Sequence, residues 1–335
     1  MTIVVDFHAH HFPLGLPDMA ALTGDARWPS LVVDDRPRLM RGAEVFRHVG
    51  PACFDPAVRI SELDTAGVAK QVISPVPVTL VDWAPASHAA DFLAAQNNAL
   101  AEVASGSDGR LIALGAVPLQ DTDLAIAEMA RAYHGLGMAG IEITAMVAGR
   151  ELDDSSLDPF WAAAASDRVP IFIHPAHQET ATRRAGQPYE FGIGMLTDTA
   201  LAAAALVYGG VLDRHPDLRI ALSHGCGTFG WTHPRLRYMA TRDPLRAAHL
   251  DDLVNRLWVD SLVFDPAMVN VLLERFGADH VMFGSDHPFL PEGIGGPLDS
   301  LHEARTRWPA LDENCLGRNA LQFLVRRDAE AAIPS

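Results

Sequence analysis

The stretch Val-Val-Asp-Phe-His-Ala-His-His-Phe-Pro, residues 4–13, places three imidazoles at the end of a short apolar run. Side chains alternate along a strand, so His8 and His10 leave one face together and His11 points away. Two neutral imidazoles side by side offer the nitrogen donors that zinc accepts, which makes them half of a metal site. Alone the pair decides little, because packed histidines are common. Three more apolar runs end in the same manner: Ile-Phe-Ile-His at 171–174, Ala-Leu-Ser-His at 221–224 and Met-Phe-Gly-Ser-Asp at 282–286. Core packing gives no reason for His174, His224 and Asp286 to fall at matching strand ends. Barrel enzymes keep their active sites at that end, so the set points to metal chemistry.

Positioning those residues takes eight short β-branched runs: 3–7, 71–74, 111–117, 140–143, 170–173, 219–223, 257–259 and 280–283. Helical patterns separate them, at 59–66, 88–104, 124–133, 159–165, 197–207 and 266–276, with a terminal pair beyond Asp299. Near-continuous apolar strands that each precede a helix suit a parallel sheet with a covered outer face. The predicted fold is therefore α/β, a (β/α)8 TIM barrel in which residues 1–335 form a single domain. A doubly wound open sheet competes, but no Gly-x-Gly-x-x-Gly turn follows the first strand. Residues 12–55 break the rhythm with five prolines and weak periodicity, and are expected to be a long loop insertion after the first strand that covers the site.

Composition narrows the partners. A net charge of −16 repels phosphate backbones and anionic lipid, so neither nucleic acid nor a membrane surface is expected to bind. An anionic substrate would need local cations, which gives weight to each arginine near the site. Cys53, Cys226 and Cys315 are odd in number and lack a C-x-x-C pair, which argues against a disulfide framework or a thiolate zinc site and for a reducing cytoplasm. Asp6 and the histidines stand where a secretory signal would need apolar residues. The Ala-rich run 200–207, bracketed by Asp198 and Asp213, reads as a buried helix rather than a membrane span.

His8-x-His10, His174, His224 and Asp286 on strands one, five, six and eight resemble the ligand and catalytic pattern of the amidohydrolase superfamily. The surrounding stretches resemble 2-amino-3-carboxymuconate-6-semialdehyde decarboxylases and related metal-dependent decarboxylases over almost the whole chain. They include Phe46-Arg47, Asp55 to Val68, Val117-Pro-Leu-Gln-Asp, His224-Gly-Cys-Gly-Thr-Phe, Val259-Asp-Ser and Gly284-Ser-Asp-His-Pro-Phe. The resemblance implies that His8, His10, His174 and Asp286 bind one divalent ion, zinc in the first place with manganese also accepted. It implies that His224 is the acid/base, with Asp286 beside it in the catalytic set, in a non-oxidative decarboxylation. It further implies that Arg47 and Arg235 clamp substrate carboxylates, Arg235 reaching across a homodimer. Phe191 stands where those decarboxylases carry a pocket tryptophan, so the apolar wall is kept and the indole donor lost.

The expected activity is a carboxy-lyase acting on a small unsaturated or aromatic carboxylic acid. A hydrolase or hydratase of the same superfamily is the alternative, since metal-activated water and an adjacent base serve both, and a non-catalytic metal-stabilised scaffold is the third reading. His177 reads as a loop or rim residue, His11 and His287 as supports of the ligands. Cys226 is better explained by close packing than as a nucleophile.

Overall fold

The computed structural model describes residues 3–176 and 180–326. Eight parallel strands follow one another around a sheet in chain order: β1 (Val5–His11), β2 (Lys70–Pro75), β3 (Leu111–Ala116), β4 (Gly140–Thr144), β5 (Pro170–His174), β6 (Arg219–Leu222), β7 (Trp258–Asp260) and β8 (Val281–Met282). The sheet closes on itself where backbone groups of β1 meet the segment after β8. Phe7 N donates to Phe283 O, Asp286 N to His8 O and His10 N to His287 O, each at 2.8 Å. The expected (β/α)8 barrel is therefore the observed fold.

β1 runs longer than its apolar residues alone suggested. It continues through all three histidines, because β2 pairs with it as far as His11↔Pro75. It also carries a bulge. Asp6 pairs with Gln71 and Ala9 with Ile73, so Phe7 and His8 together oppose the single residue Val72. An extra residue in one strand re-aims the side chains around it. Phe7 goes to the barrel floor, packing edge-on against Phe172 at 5.2 Å and Phe323 at 5.4 Å. His8 stacks against the same Phe172 at 5.1 Å, one layer closer to the carboxyl end of the strands.

The helices cover the outside. Pro56–Ala66 starts on an Asp55 cap that accepts from Ala57 and Val58, with proline at the first helical position, where its missing N–H costs nothing. Met195–Tyr208 contains the Ala-rich run and buries Thr199, Ala202, Ala203, Leu206 and Val207. With the preceding turn, Glu190–Tyr208 is long and apolar enough by composition to cross a bilayer, and 44% of it is buried against the barrel. Phe229–Ala240 carries Pro234 inside it and has no counterpart among the helical patterns.

Residues 12–55 hold more structure than a loop. Pro29–Val32, Arg38–Arg41 and Glu44–His48 form a three-stranded antiparallel sheet of their own. Short strands with charged, exposed residues such as Arg41 and Glu44 give almost no alternating apolar signal, which is why the pattern read as irregular.

Candidate metal centre

Four donor groups converge above the barrel floor. The ligand-type atoms of His8, His10, His174 and Asp286 all lie within 4.8 Å of one another. His8 Nε2 and His10 Nε2 are 3.1 Å apart, and an Asp286 oxygen stands 3.3 Å from His10 Nε2 and 3.7 Å from His8 Nε2. His174 Nε2 is buried with no hydrogen-bond partner. Inward-facing lone pairs without donors are costly in a dry interior unless a cation shares them.

The other ring nitrogens show which way the imidazoles are set. His8 Nδ1 meets Asp260 Oδ2 at 2.6 Å, His10 Nδ1 meets the Pro75 carbonyl at 2.8 Å and the Ser74 hydroxyl at 3.1 Å, and His174 Nδ1 meets the Pro175 carbonyl at 2.9 Å. An acceptor at Nδ1 keeps the proton there and leaves Nε2 as the free donor atom, which is how ligating histidines are oriented in metal sites. The donor set fits one divalent metal ion.

Electrostatics agree. Burial alone would raise the Asp286 carboxyl, but its bond to His10 and the imidazoles around it outweigh that and hold it well below the usual carboxylate range. Burial, reinforced by neighbouring imidazoles, keeps His174 neutral far below its ordinary value. Burial likewise lowers His10 against the pull of Asp286. His8 is the exception: burial lowers it, yet its bond to Asp260 raises it above the ordinary imidazole value.

His224 stands just outside the four donors, its ring centroid 5.2 Å from that of His8 and 5.0 Å from that of His174. Burial and the nearby His8 push its pKa down to about 4, so the ring is neutral at pH 7. Its Nδ1 lies 3.3 Å from the Ser223 hydroxyl. Both His224 and Asp286 have φ of +53°, a left-handed conformation that non-glycine residues seldom adopt and that clusters at functional sites.

The cluster opens into a cavity of about 640 Å³ lined by His10, His174, His224 and Asp286 together with Arg47 and Phe191. The Arg47 guanidinium lies 4.7 Å above the Phe289 ring and 5.6 Å from that of Phe191. Burial lowers the Arg47 pKa from its ordinary value, against the attraction of Asp286. Arg235 is not brought into this cavity: it sits exposed on Phe229–Ala240. His177 lies outside the described residues. His11 is buried with neither ring nitrogen partnered, away from the donors as its parity required. His287 links Arg59, 3.1 Å from its Nδ1, to Glu62, 2.7 Å from its Nε2. Cys226 is fully buried and its thiol is pushed well above the ordinary value, which removes it as a nucleophile.

Three contributors were missed. The Asp260 carboxylate accepts from His8 Nδ1 and from the backbone N–H groups of His224, Gly225 and Leu262 at 2.8, 2.9 and 3.0 Å. It ends the apolar run Trp-Val-Asp on β7, so the strand-end rule that found the other site residues reaches it as well. Glu142 on β4 is fully buried, with an oxygen 3.8 Å from His10 Nδ1, and burial pushes its carboxyl far up despite Ser74. Its alternation with Ile141 and Ile143 was the available signal. Arg41 also lines the cavity, but its strand had not been recognised.

Fold and site together define a metal-dependent barrel enzyme, with one four-donor group able to hold a cation among the described residues. Residues 5–324 match the family described as Amidohydrolase, and the chain belongs to that family. The 2-amino-3-carboxymuconate-6-semialdehyde decarboxylase of Dictyostelium discoideum is 33% identical over 332 residues, which cover 96% of this chain and 92% of that protein. Among solved structures, apo IDCase of Metarhizium anisopliae matches with a TM-score of 0.82 at 23% identity, over 96% of this chain and 97% of that one. The dihydroxybenzoic acid decarboxylase of Polaromonas sp. JS666, with bound manganese and the inhibitor 2-nitroresorcinol, matches with a TM-score of 0.71 at 19% identity, over 97% of each chain.

Proposed function

We propose that this chain is a metal-dependent non-oxidative decarboxylase, a carboxy-lyase acting on a small unsaturated or aromatic carboxylic acid. The observation that carries the reading is the pairing of a four-donor cluster with a neutral, unligated His224 in one cavity that also holds Arg47. The kinship with named decarboxylases supports it.

His8, His10, His174 and Asp286 would hold the ion, which when bound supplies Lewis-acid stabilisation of negative charge on the substrate. Zinc suits three imidazoles and a carboxylate, and the manganese bound in the Polaromonas enzyme supports a harder cation as the second choice. Arg47 orients the substrate through a carboxylate, the planar guanidinium offering two parallel donors. His224, neutral at rest, would take a proton from solvent at Nε2, the nitrogen that Ser223 does not engage, and pass it to the substrate carbon. The bond from carbon to carboxylate breaks, carbon dioxide departs, and its electron pair stays on carbon to take that proton as a new C–H bond.

Assembly as a homodimer is part of the proposal. Trp231, Arg235, Tyr238 and Met239 fall on one side of Phe229–Ala240 at helical spacing, and the three apolar members are 82%, 62% and 66% exposed. An apolar stripe of this kind marks a protein interface, and pairing through it would carry Arg235 toward a neighbouring cavity. The three free, buried cysteines support a cytoplasmic setting, and the 12–55 segment, bearing Arg41 and Arg47, is read as the cover of the site.

The test is a screen of dihydroxybenzoates, carboxymuconate semialdehydes and related ring-cleavage acids for carbon dioxide release. In D2O the product should carry one deuterium at the carbon that lost the carboxylate. Product formed without gas would favour the hydrolase or hydratase reading.

A further inference from the structure

The cavity is far larger than a compact acid needs. A void of about 150 Å³ suffices to hold a benzene ring, and this one has about four times that volume. Its charged and ligating groups are the metal donors, His224, Arg47 and, on the adjacent strand of the same small sheet, Arg41. The rest of the lining is largely hydrocarbon and includes Met195, Leu196, Val263, Met268, Leu272 and the indole of Trp231, with Gln187 and Thr228 as polar members. Four of the residues that line the cavity are glycines, Gly192, Gly225, Gly227 and Gly230. A Cβ added at Gly192 would meet no atom within 4 Å, whereas at Gly227 it would strike the Leu196 carbonyl. Gly192 is exposed and lines the cavity, so a larger side chain at this position meets no neighbouring atom that would hold it out of the cavity.

A ring whose carboxylate sits by the donor cluster fills only part of that volume. Leaving the remainder as water against apolar walls would forgo the hydrophobic gain that such walls offer a ligand. We propose that the substrate is an aromatic carboxylic acid bearing an extended apolar substituent, an alkyl chain or second ring, that lies along the Gly192 wall toward Trp231. This deepens the decarboxylase reading and rests on it.

The experiment uses the manganese-loaded enzyme and a series of 2,6-dihydroxybenzoates carrying hydrogen, methyl, propyl or pentyl at the position opposite the carboxylate. Binding is measured by calorimetry and turnover by carbon dioxide release. Each buried methylene is expected to tighten Kd by about 2- to 4-fold, so the pentyl compound should bind at least 30-fold tighter than the unsubstituted one. Gly192→Phe should erase most of that ratio and Gly192→Ala should reduce it slightly, the alanine variant guarding against misfolding of the larger one. A flat series in the wild-type enzyme overturns the inference, and so does a ratio that survives Gly192→Phe. Tightening with chain length in the absence of gas from every member would leave the apolar arm standing and remove the decarboxylase reading for these acids. Gas evolved equally well from all members would do the reverse.

Discussion

Replacing Asp260 by asparagine changes one atom and should disable the centre. The native carboxylate accepts four hydrogen bonds and donates none: His8 Nδ1 and His224 N on Oδ2, Gly225 N and Leu262 N on Oδ1. An amide has one accepting end. Turned one way, its NH2 faces the His8 and His224 donors; turned the other, it faces those of Gly225 and Leu262. Either orientation leaves two buried donors opposed by a third. Each orphaned buried donor costs about 1–3 kcal/mol, so strain of roughly 2–6 kcal/mol must be relieved. The cheapest relief is a tautomer change at His8, which turns Nδ1 into an acceptor and places the proton on Nε2. That proton then occupies the lone pair that faces His10 and Asp286. Substituting the group that holds a ligating histidine by its other ring nitrogen lowers metal affinity by about 10- to 100-fold.

The assay is chelator competition for zinc and manganese, run beside urea unfolding and initial rates at saturating metal. The expected result is a metal affinity at least 10-fold weaker with a fold that still unfolds cooperatively. Asp260→Ala, which removes the opposing NH2, should retain more metal affinity than Asp260→Asn although it deletes more atoms. Wild-type affinity in Asp260→Asn would refute the claim that this carboxylate sets the His8 tautomer.

Four further outcomes are expected. His224→Gln should keep metal binding but lose about 100- to 10,000-fold in kcat, the usual worth of a positioned acid/base group, as rapid-quench or gas-release kinetics will show. Removing the ion with a chelator should abolish turnover and readdition of zinc or manganese restore it, followed by elemental analysis of the protein. Neither Arg235→Ala nor His224→Ala should turn over alone, whereas a mixture of the two refolded together should regain part of the activity if Arg235 acts across a dimer; a silent mixture with dimers present on sizing would refute that. Finally, His287 is buried, and burial with Arg59 beside it pushes its pKa down to about 3 against an ordinary 6.5. The unfolded chain therefore binds this proton first, so stability should fall as pH drops below about 6.5, by up to about 1.4 kcal/mol per pH unit until the folded value is reached. Urea midpoints from pH 7 to 5 should show a shallower slope in His287→Asn.

The barrel was legible because each strand is a short apolar run and each helix has its own periodicity; Pro266–Phe276 was predicted at its observed limits. The metal cluster was legible because its members all end such runs. Most of what escaped depended on relations between segments. The bulge in β1 depends on Phe7 and His8 opposing Val72, a relation between strands 64 residues apart in the chain. The small sheet in 12–55 has polar strands stabilised by pairing rather than by an apolar face. Asp260 was written in the same code as Asp286, yet its neighbours in space come from β1 and from the turn after β6, so its four-way bonding could not be read from its own segment.

The bulge has a chemical consequence that alternation alone would not produce. Without it, Phe7 and His8 would leave opposite faces of β1, and the strand would supply either the floor or the donor. With both inward, the aromatic Phe7–Phe172–Phe323 floor lies directly beneath the imidazole of His8 and keeps water from reaching it from below. A dry floor strengthens every electrostatic contact above it, including the 2.6 Å bond from His8 to Asp260. That same carboxylate fixes the backbone of His224 in its left-handed turn. The orientation of the His8 ring and the placing of His224 are thus linked through one carboxylate, beside a single extra residue in the first strand. Deleting the bulge should therefore damage metal binding and proton transfer together.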